Sequence, residues 1–151
     1  MEYIENHGKE GGCIFCSALD KPDNSQNLIV HRGRQAFVIL NLYPYTSGHL
    51  MVVPFVHKAT LEELESSLRA EMMELTSLSM SVLRRTYNPQ AFNLGANIGE
   101  AAGAGVKEHI HLHIVPRWIG DTNFMSTLGS TRVLPELLED TYQRIRAGFL
   151  G

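Results

Sequence analysis

The chain has 151 residues, 44% of them hydrophobic and 19% charged, with a formal net charge of −3 and seven histidines against two cysteines. That length fits one domain burying about 68–70% of the surface its unfolded chain exposes, so no disulfide framework is needed. No apolar run approaches the roughly 18 residues that span a bilayer, and a negative chain without a Lys/Arg block lacks the counterion-release drive of polynucleotide binders.

Met1 to Gly12 is polar and glycine-rich with no apolar centre, so it is expected to be a flexible tail and not a secretory signal. With only two cysteines, a reducing cytoplasm is the expected location. Leu28–His31 and Ala36–Asn41 are short β-branched or aromatic runs around a turn, which predicts a hairpin. A turn with Pro44, Ser47 and Gly48 leads to a third strand over His49–Phe55, where Pro54 lies near the end and its missing donor is tolerated.

From Thr60 to about Tyr87, Leu61, Leu64, Leu68, Met72, Leu75, Leu78 or Ser79, and Val82 recur at three- and four-residue steps, the mark of one buried helical stripe. Thr60 and Glu63 have capping-box spacing, and Asn88–Pro89 ends the helix, because the residue before proline is pushed out of helical geometry. Ala91–Asn97 and His109–Val115 read as strands joined by a glycine-bearing loop, and a last helix is predicted from about Pro135 through Leu138, Tyr142 and Ile145. This order predicts an antiparallel α+β domain over residues 1–151, with about five strands and two helices. Neither a Walker loop nor a dinucleotide-binding glycine fingerprint is present.

The run from His109 to Val115 alternates without a break, so His109, His111 and His113 share one strand face while Ile110, Leu112 and Ile114 share the other. Three imidazoles on one face repel when protonated and make poor core material. A strand rises about 3.3 Å per residue, which sets His109 and His113 roughly 13 Å apart. One ion hardly reaches all three, so a division of labour competes with a shared metal.

The His-x-His-x-His pattern with apolar residues between and after resembles the signature of the histidine triad superfamily of nucleotide hydrolases and transferases. The run from Asn41 to His49 with the following Leu–Met–Val–Val–Pro54 is similar to that family's second block, and Asn97 to Gly103 to its glycine-rich block. Cys13–Ile–Phe–Cys16 resembles the entry motif of many bacterial members. The continuation to Arg117–Trp118 and Gly120–Phe124 is most similar to the bacterial diadenosine tetraphosphate phosphorylase branch.

The resemblance implies a homodimer, a purine nucleotide or dinucleoside polyphosphate as substrate, and no organic cofactor. It implies His111 as the nucleophile that forms a covalent nucleotidyl-histidine, a role suited to a neutral imidazole near pH 7. His113 and His49 would stand around the phosphate as donors, with Asn97 as a phosphate or leaving-group contact. Backbone amides of Gly103, Ala104 and Gly105 would stabilise phosphoryl charge. The family usually carries Gln or Ser just before the triad; here Ala104 and Gly105 stand there with one extra residue before His109, so that contact is lost or replaced by backbone or water.

Asn41 matches a ribose-binding position, and Ile14, Phe15 and Leu42 match positions that sandwich the base or serve as plain core. Cys13 and Cys16 read as a redox pair, as chance structural thiols or as half a zinc site; the resemblance adds His57 and His109 as the ligands completing a closed Cys₂His₂ structural site. Arg117 and Trp118 fit a polyphosphate tail and second base, or surface or dimer packing, and His7 and His31 are assigned no role. Two other classes compete with a nucleotidyl-transfer enzyme: a nucleotide-binding module with vestigial catalysis that acts through protein partners, and a metallohydrolase with the triad on a catalytic metal.

Overall fold

The computed structural model describes residues 12–121 and 136–151. Its elements in chain order are α1 (Ile14–Leu19), β1 (Ile29–Arg32), β2 (Ala36–Leu40), β3 (Leu50–Pro54), α2 (Ser66–Tyr87), β4 (Ala91–Gly95), β5 (Leu112–Arg117) and α3 (Leu138–Leu150). The strands form one sheet in the order β1-β2-β3-β5-β4, every neighbouring pair antiparallel. Among the described residues no helix is long and apolar enough to cross a membrane. The expectations on the amino-terminal tail, on His7 and on Pro135 as a helix start fall outside the described residues, apart from the last tail residue, Gly12.

Register divides the sheet into two faces. Ile39 pairs with Met51 and Met51 with His113, so these three form one row; Leu40, Leu50 and Ile114 form the next row on the opposite face. Helices α2 and α3 pack on each other and over the latter face. Leu64, Leu68, Met72, Leu75, Ser79 and Val82 are buried there, whereas Leu61 and Leu78 of the expected stripe are exposed. Buried hydroxyls are satisfied within α2, with Thr76 donating to the Met72 carbonyl and Ser79 to that of Leu75, both at 2.7 Å.

The long helix begins later than the capping-box spacing predicts. Leu61–Glu63 is a separate 3₁₀ turn, Thr60 bonds to the Glu62 carboxylate and caps nothing, and α2 starts at Ser66. Leu64 adopts extended backbone while its side chain is buried, and that detour interrupts the helix. At the other end the expectation holds: Asn88 closes α2 in left-handed geometry at φ 49°, with its amide on the Arg84 carbonyl. Helix α3 is tied to β1 by Tyr142, whose hydroxyl donates to the Ile29 carbonyl at 2.9 Å, and by Arg146, which donates to the Val30 carbonyl at 2.7 Å. His31 stacks on Phe149 with ring centroids 4.9 Å apart, a packing role.

Two further corrections concern the elements nearest the chemistry. The sequence gives no sign of a helix at Ile14–Leu19, yet α1 forms there with Cys13 as its N-cap. The last strand begins at Leu112 and not at His109, because the Ile110 amide bonds to the Lys58 carbonyl outside the ladder. Pro116 is accommodated in β5 because β3 pairs with β5 only as far as Ile114, which leaves no ladder donor missing.

Helix α2 is also fastened to the β1–β2 turn by Glu71, whose carboxylate accepts the amides of Gln35 at 2.6 Å and Ala36 at 2.8 Å. Glu71→Ala leaves both donors unsatisfied and is expected to cost about 1.5–3 kcal/mol. The urea midpoint falls with the slope unchanged; an unmoved midpoint rejects the assignment.

Candidate active site and metal cluster

Gly48 sets the chain for the first site histidine. Its φ of +87° is a left-handed conformation that glycine adopts freely, and an added Cβ would lie 3.0 Å from the Leu83 side chain. The following His49 is fully buried. The Tyr45 amide donates to its Nδ1 at 3.2 Å, so the ring proton sits on Nε2, 2.9 Å from Nδ1 of His113. His49 therefore donates to His113, whose own proton is on Nε2. Burial, then the neighbouring His113 and His111, push His49 down to about 3; burial, then His111, takes His113 down to about 4.

Both imidazoles are thus neutral at pH 7. Their folded-state values lie below the ordinary 6.5, so between about 6.5 and about 4 the unfolded chain binds more protons and stability drops as pH falls. The urea midpoint of chelator-treated protein is expected to be lower at pH 5 than at pH 7, and equal midpoints contradict this.

His111 is buried, and its Nδ1 donates to the His109 carbonyl at 2.9 Å. This fixes the tautomer and leaves the Nε2 lone pair free, while burial lowers the group below its usual value against the opposing effect of that hydrogen bond. The rings of His111 and His113 stand edge to face at 4.9 Å, and Phe15 packs on His111 with centroids 5.0 Å apart. Gly95 pairs opposite His113 and brings no side chain there, with nothing within 4 Å of an added Cβ.

Ile14, Phe15 and Leu42 meet in one pocket of about 200 Å³, joined by Leu28, Ile39 and Met51. The last three lack a sequence signal of their own; the register that puts Ile39 and Met51 in a row with His113 marks two of them. Asn41 stands next to Leu42. Its oxygen is taken by the Tyr43 amide at 2.8 Å, so the side chain faces its surroundings as an N–H donor. Asn97 is exposed beyond the end of β4. In the glycine-rich loop the amides of Gly103 and Ala104 are spent on the carbonyls of Glu100 and Gly99, and the Gly105 amide is not among those the turn uses. Arg117 is held by Asp121 at 2.7 and 2.8 Å and by Asn93 at 2.7 Å; Trp118 is half-buried beside the same carboxylate.

On the far side of the nucleophile candidate, Cys13, Cys16, His57 and His109 bring one ligand atom each to within 4.8 Å of all the others. The thiols are free. Nδ1 of His109 lies 3.3 Å from Cys13 Sγ, 3.7 Å from Cys16 Sγ and 3.2 Å from His57 Nδ1. Zinc bonds of about 2.0–2.3 Å in a tetrahedron require ligand atoms about 3.3–3.8 Å apart, which these spacings match. His109 donates from Nε2 to the Pro54 carbonyl at 2.8 Å, so its Nδ1 lone pair points into the cluster in the usual outer-shell arrangement of a metal-bound histidine. Burial, then Cys13, raises the Cys16 thiol to about 11. Inward lone pairs and a resisted thiolate are what a divalent cation relieves.

A HIT domain model matches residues 22–118. A protein named AP-4-A phosphorylase from Mycobacterium tuberculosis is 44% identical over 118 residues, covering 78% of this chain and 60% of the relative. An adenylylsulfatase from Arabidopsis thaliana is 32% identical over 114 residues, covering 76% and 56%. The chain therefore spans somewhat over half the length of these curated relatives. Among solved structures, a zinc-bound histidine triad family protein from Mycobacterium smegmatis superposes with a TM-score of 0.72 at 26% identity, covering 91% of this chain and 93% of that one. Triad, sheet order and family model agree, and the chain belongs to the HIT domain family.

Proposed function

We propose that the protein transfers a nucleoside monophosphate group from a dinucleoside polyphosphate, such as diadenosine tetraphosphate, to water or inorganic phosphate through His111. The observation that carries this is the bond from His111 Nδ1 to the His109 carbonyl, which supports a tautomer with its lone pair on Nε2, a neutral nucleophile without need of a base. The adenosine base occupies the pocket of Ile14, Phe15 and Leu42, and the Asn41 amide meets the ribose hydroxyls. Nε2 attacks the adjacent phosphorus; the P–N bond forms as the P–O bond to the departing triphosphate breaks, releasing ATP. An oxygen of water or phosphate then displaces the imidazole, giving AMP or ADP.

His113 supplies an N–H from Nε2 to the phosphate or leaving oxygen. His49 is a positioning residue: buried and donating to His113 Nδ1, it fixes which His113 nitrogen carries the proton. Of the proposed loop contacts, Gly105 retains the amide best suited to the phosphate, and Asn97 supplies a side-chain amide.

The cluster of Cys13, Cys16, His57 and His109 holds a zinc ion. A closed set of four sulfur and nitrogen ligands supplies fixed local geometry and no activated water, and His109 carries the carbonyl that orients His111. Two copies of the chain pair through β4, whose outer edge has no neighbour in the described sheet and whose Leu94 is exposed; sedimentation analysis tests this. For the reaction, incubation with diadenosine tetraphosphate, with and without phosphate, is decisive. ATP plus AMP identifies water as acceptor, ATP plus ADP appearing only with phosphate identifies phosphorolysis, and neither pair rejects the substrate class.

A further inference from the structure

Helix α1 has only six residues, and Cys13 at its N-cap makes no side-chain capping bond. Helices under about 12 residues are marginal on their own, so α1 depends on its anchors. Its carboxyl end is held by Asn27, whose Nδ2 donates to the Ala18 carbonyl at 3.1 Å and to that of Lys21 at 3.3 Å. Its inner face is held by Phe15 in the first turn, which is 1% exposed. Its amino end is held by Cys13 and Cys16 in the cluster with His57 and His109.

The same six residues form one wall of the proposed nucleoside pocket through Ile14, Phe15, Ser17 and Ala18, facing Ile39 and Met51 of the sheet. Phe15 stands between the sites, its ring 5.4 Å from that of His109 and 5.0 Å from that of His111. Any ligand that fixes the amino end of α1 fixes the wall of the pocket.

From this we infer that metal binding at the cysteine–histidine cluster and nucleoside binding in the adjacent pocket are positively coupled through α1. The inference rests on the zinc and nucleoside assignments made above. Each ligand pays part of the cost of ordering the amino-terminal half of α1, and the second to arrive pays less. The coupling is reciprocal: the factor by which zinc tightens the nucleotide is the factor by which the nucleotide tightens zinc.

Calorimetric titration of AMP into the full chain, once with one equivalent of zinc and once after exhaustive chelation, measures it. Removing zinc is expected to weaken AMP about fivefold or more, and saturating AMP to tighten zinc by the same factor. Amide exchange of Ile14–Leu19 slows when zinc is added, while that of Phe37–Leu40 in β2 is unchanged. His57→Ala, on an exposed ligand outside α1, lowers zinc affinity, and saturating zinc restores its AMP affinity to the wild-type value. Zinc binding one to one with equal AMP affinity in both states overturns the coupling while the metal site stands. Failure to bind zinc overturns the metal assignment and the coupling together, and failure to bind AMP in either state overturns the nucleoside assignment and the coupling together.

Discussion

His111→Ala is expected to lower the turnover of diadenosine tetraphosphate by about a thousandfold or more, because it removes the one group that forms the bond to phosphorus and leaves only binding and charge stabilisation. The change cuts a buried ring whose Nδ1 bonds to the His109 carbonyl, outside the pocket lined by Ile14, Phe15 and Leu42, so AMP affinity is expected to stay within a few-fold of wild type. Initial rates together with an AMP titration separate the two effects. A nucleotide-binding module with vestigial catalysis predicts a different outcome, in which wild type and variant turn over at similarly low rates. Equal rates would reject the nucleophile assignment.

Metal removal is expected to have the second largest effect, on stability before chemistry. Structural zinc binding contributes directly to folding free energy, and an ion held by Cys13, Cys16, His57 and His109 would join the amino end of α1 to the loop after β3 and to the start of the triad. Chelation is expected to lower the thermal midpoint by several degrees, with turnover declining as the protein loosens. Immediate loss of all turnover with an unchanged midpoint would indicate a catalytic ion and favour the metallohydrolase class.

What the sequence made legible follows from what alternation and periodicity report, namely which way side chains face. The hairpin of β1 and β2, strand β3 and most of the α2 stripe are consequences of burial, and the Asn88 stop is a consequence of the proline after it; the structure reproduces these, while α2 begins six residues later than the stripe predicts. Helix α1 was not legible because six residues offer no periodic window and its anchors lie elsewhere in the chain. The start of β5 was misplaced because alternation from His109 onward reports facing, whereas the Ile110 amide leaves the ladder for Lys58.

The site shows the same division. Strand alternation put His111 and His113 on one face, the family resemblance supplied their roles and added His57 and His109 to the two cysteines, and the fold brings Cys13 to His109 across 96 positions. The contacts that set tautomers are backbone groups, the Pro54 and His109 carbonyls and the Tyr45 amide, and a carbonyl has no letter in the sequence. The role of His49 through His113 likewise depends on the register that places Met51 opposite His113, which no local pattern encodes.

The central claim is that the nucleotidyl group passes through His111, and the configuration at the attacked phosphorus tests it most directly. Two in-line displacements, one by Nε2 and one by the acceptor oxygen, restore the original configuration; direct attack by water or phosphate inverts it. With a P-chiral phosphorothioate analogue of diadenosine tetraphosphate and isotopically labelled acceptor, the nucleotide product is expected to show retention. Inversion would contradict the covalent nucleotidyl-histidine.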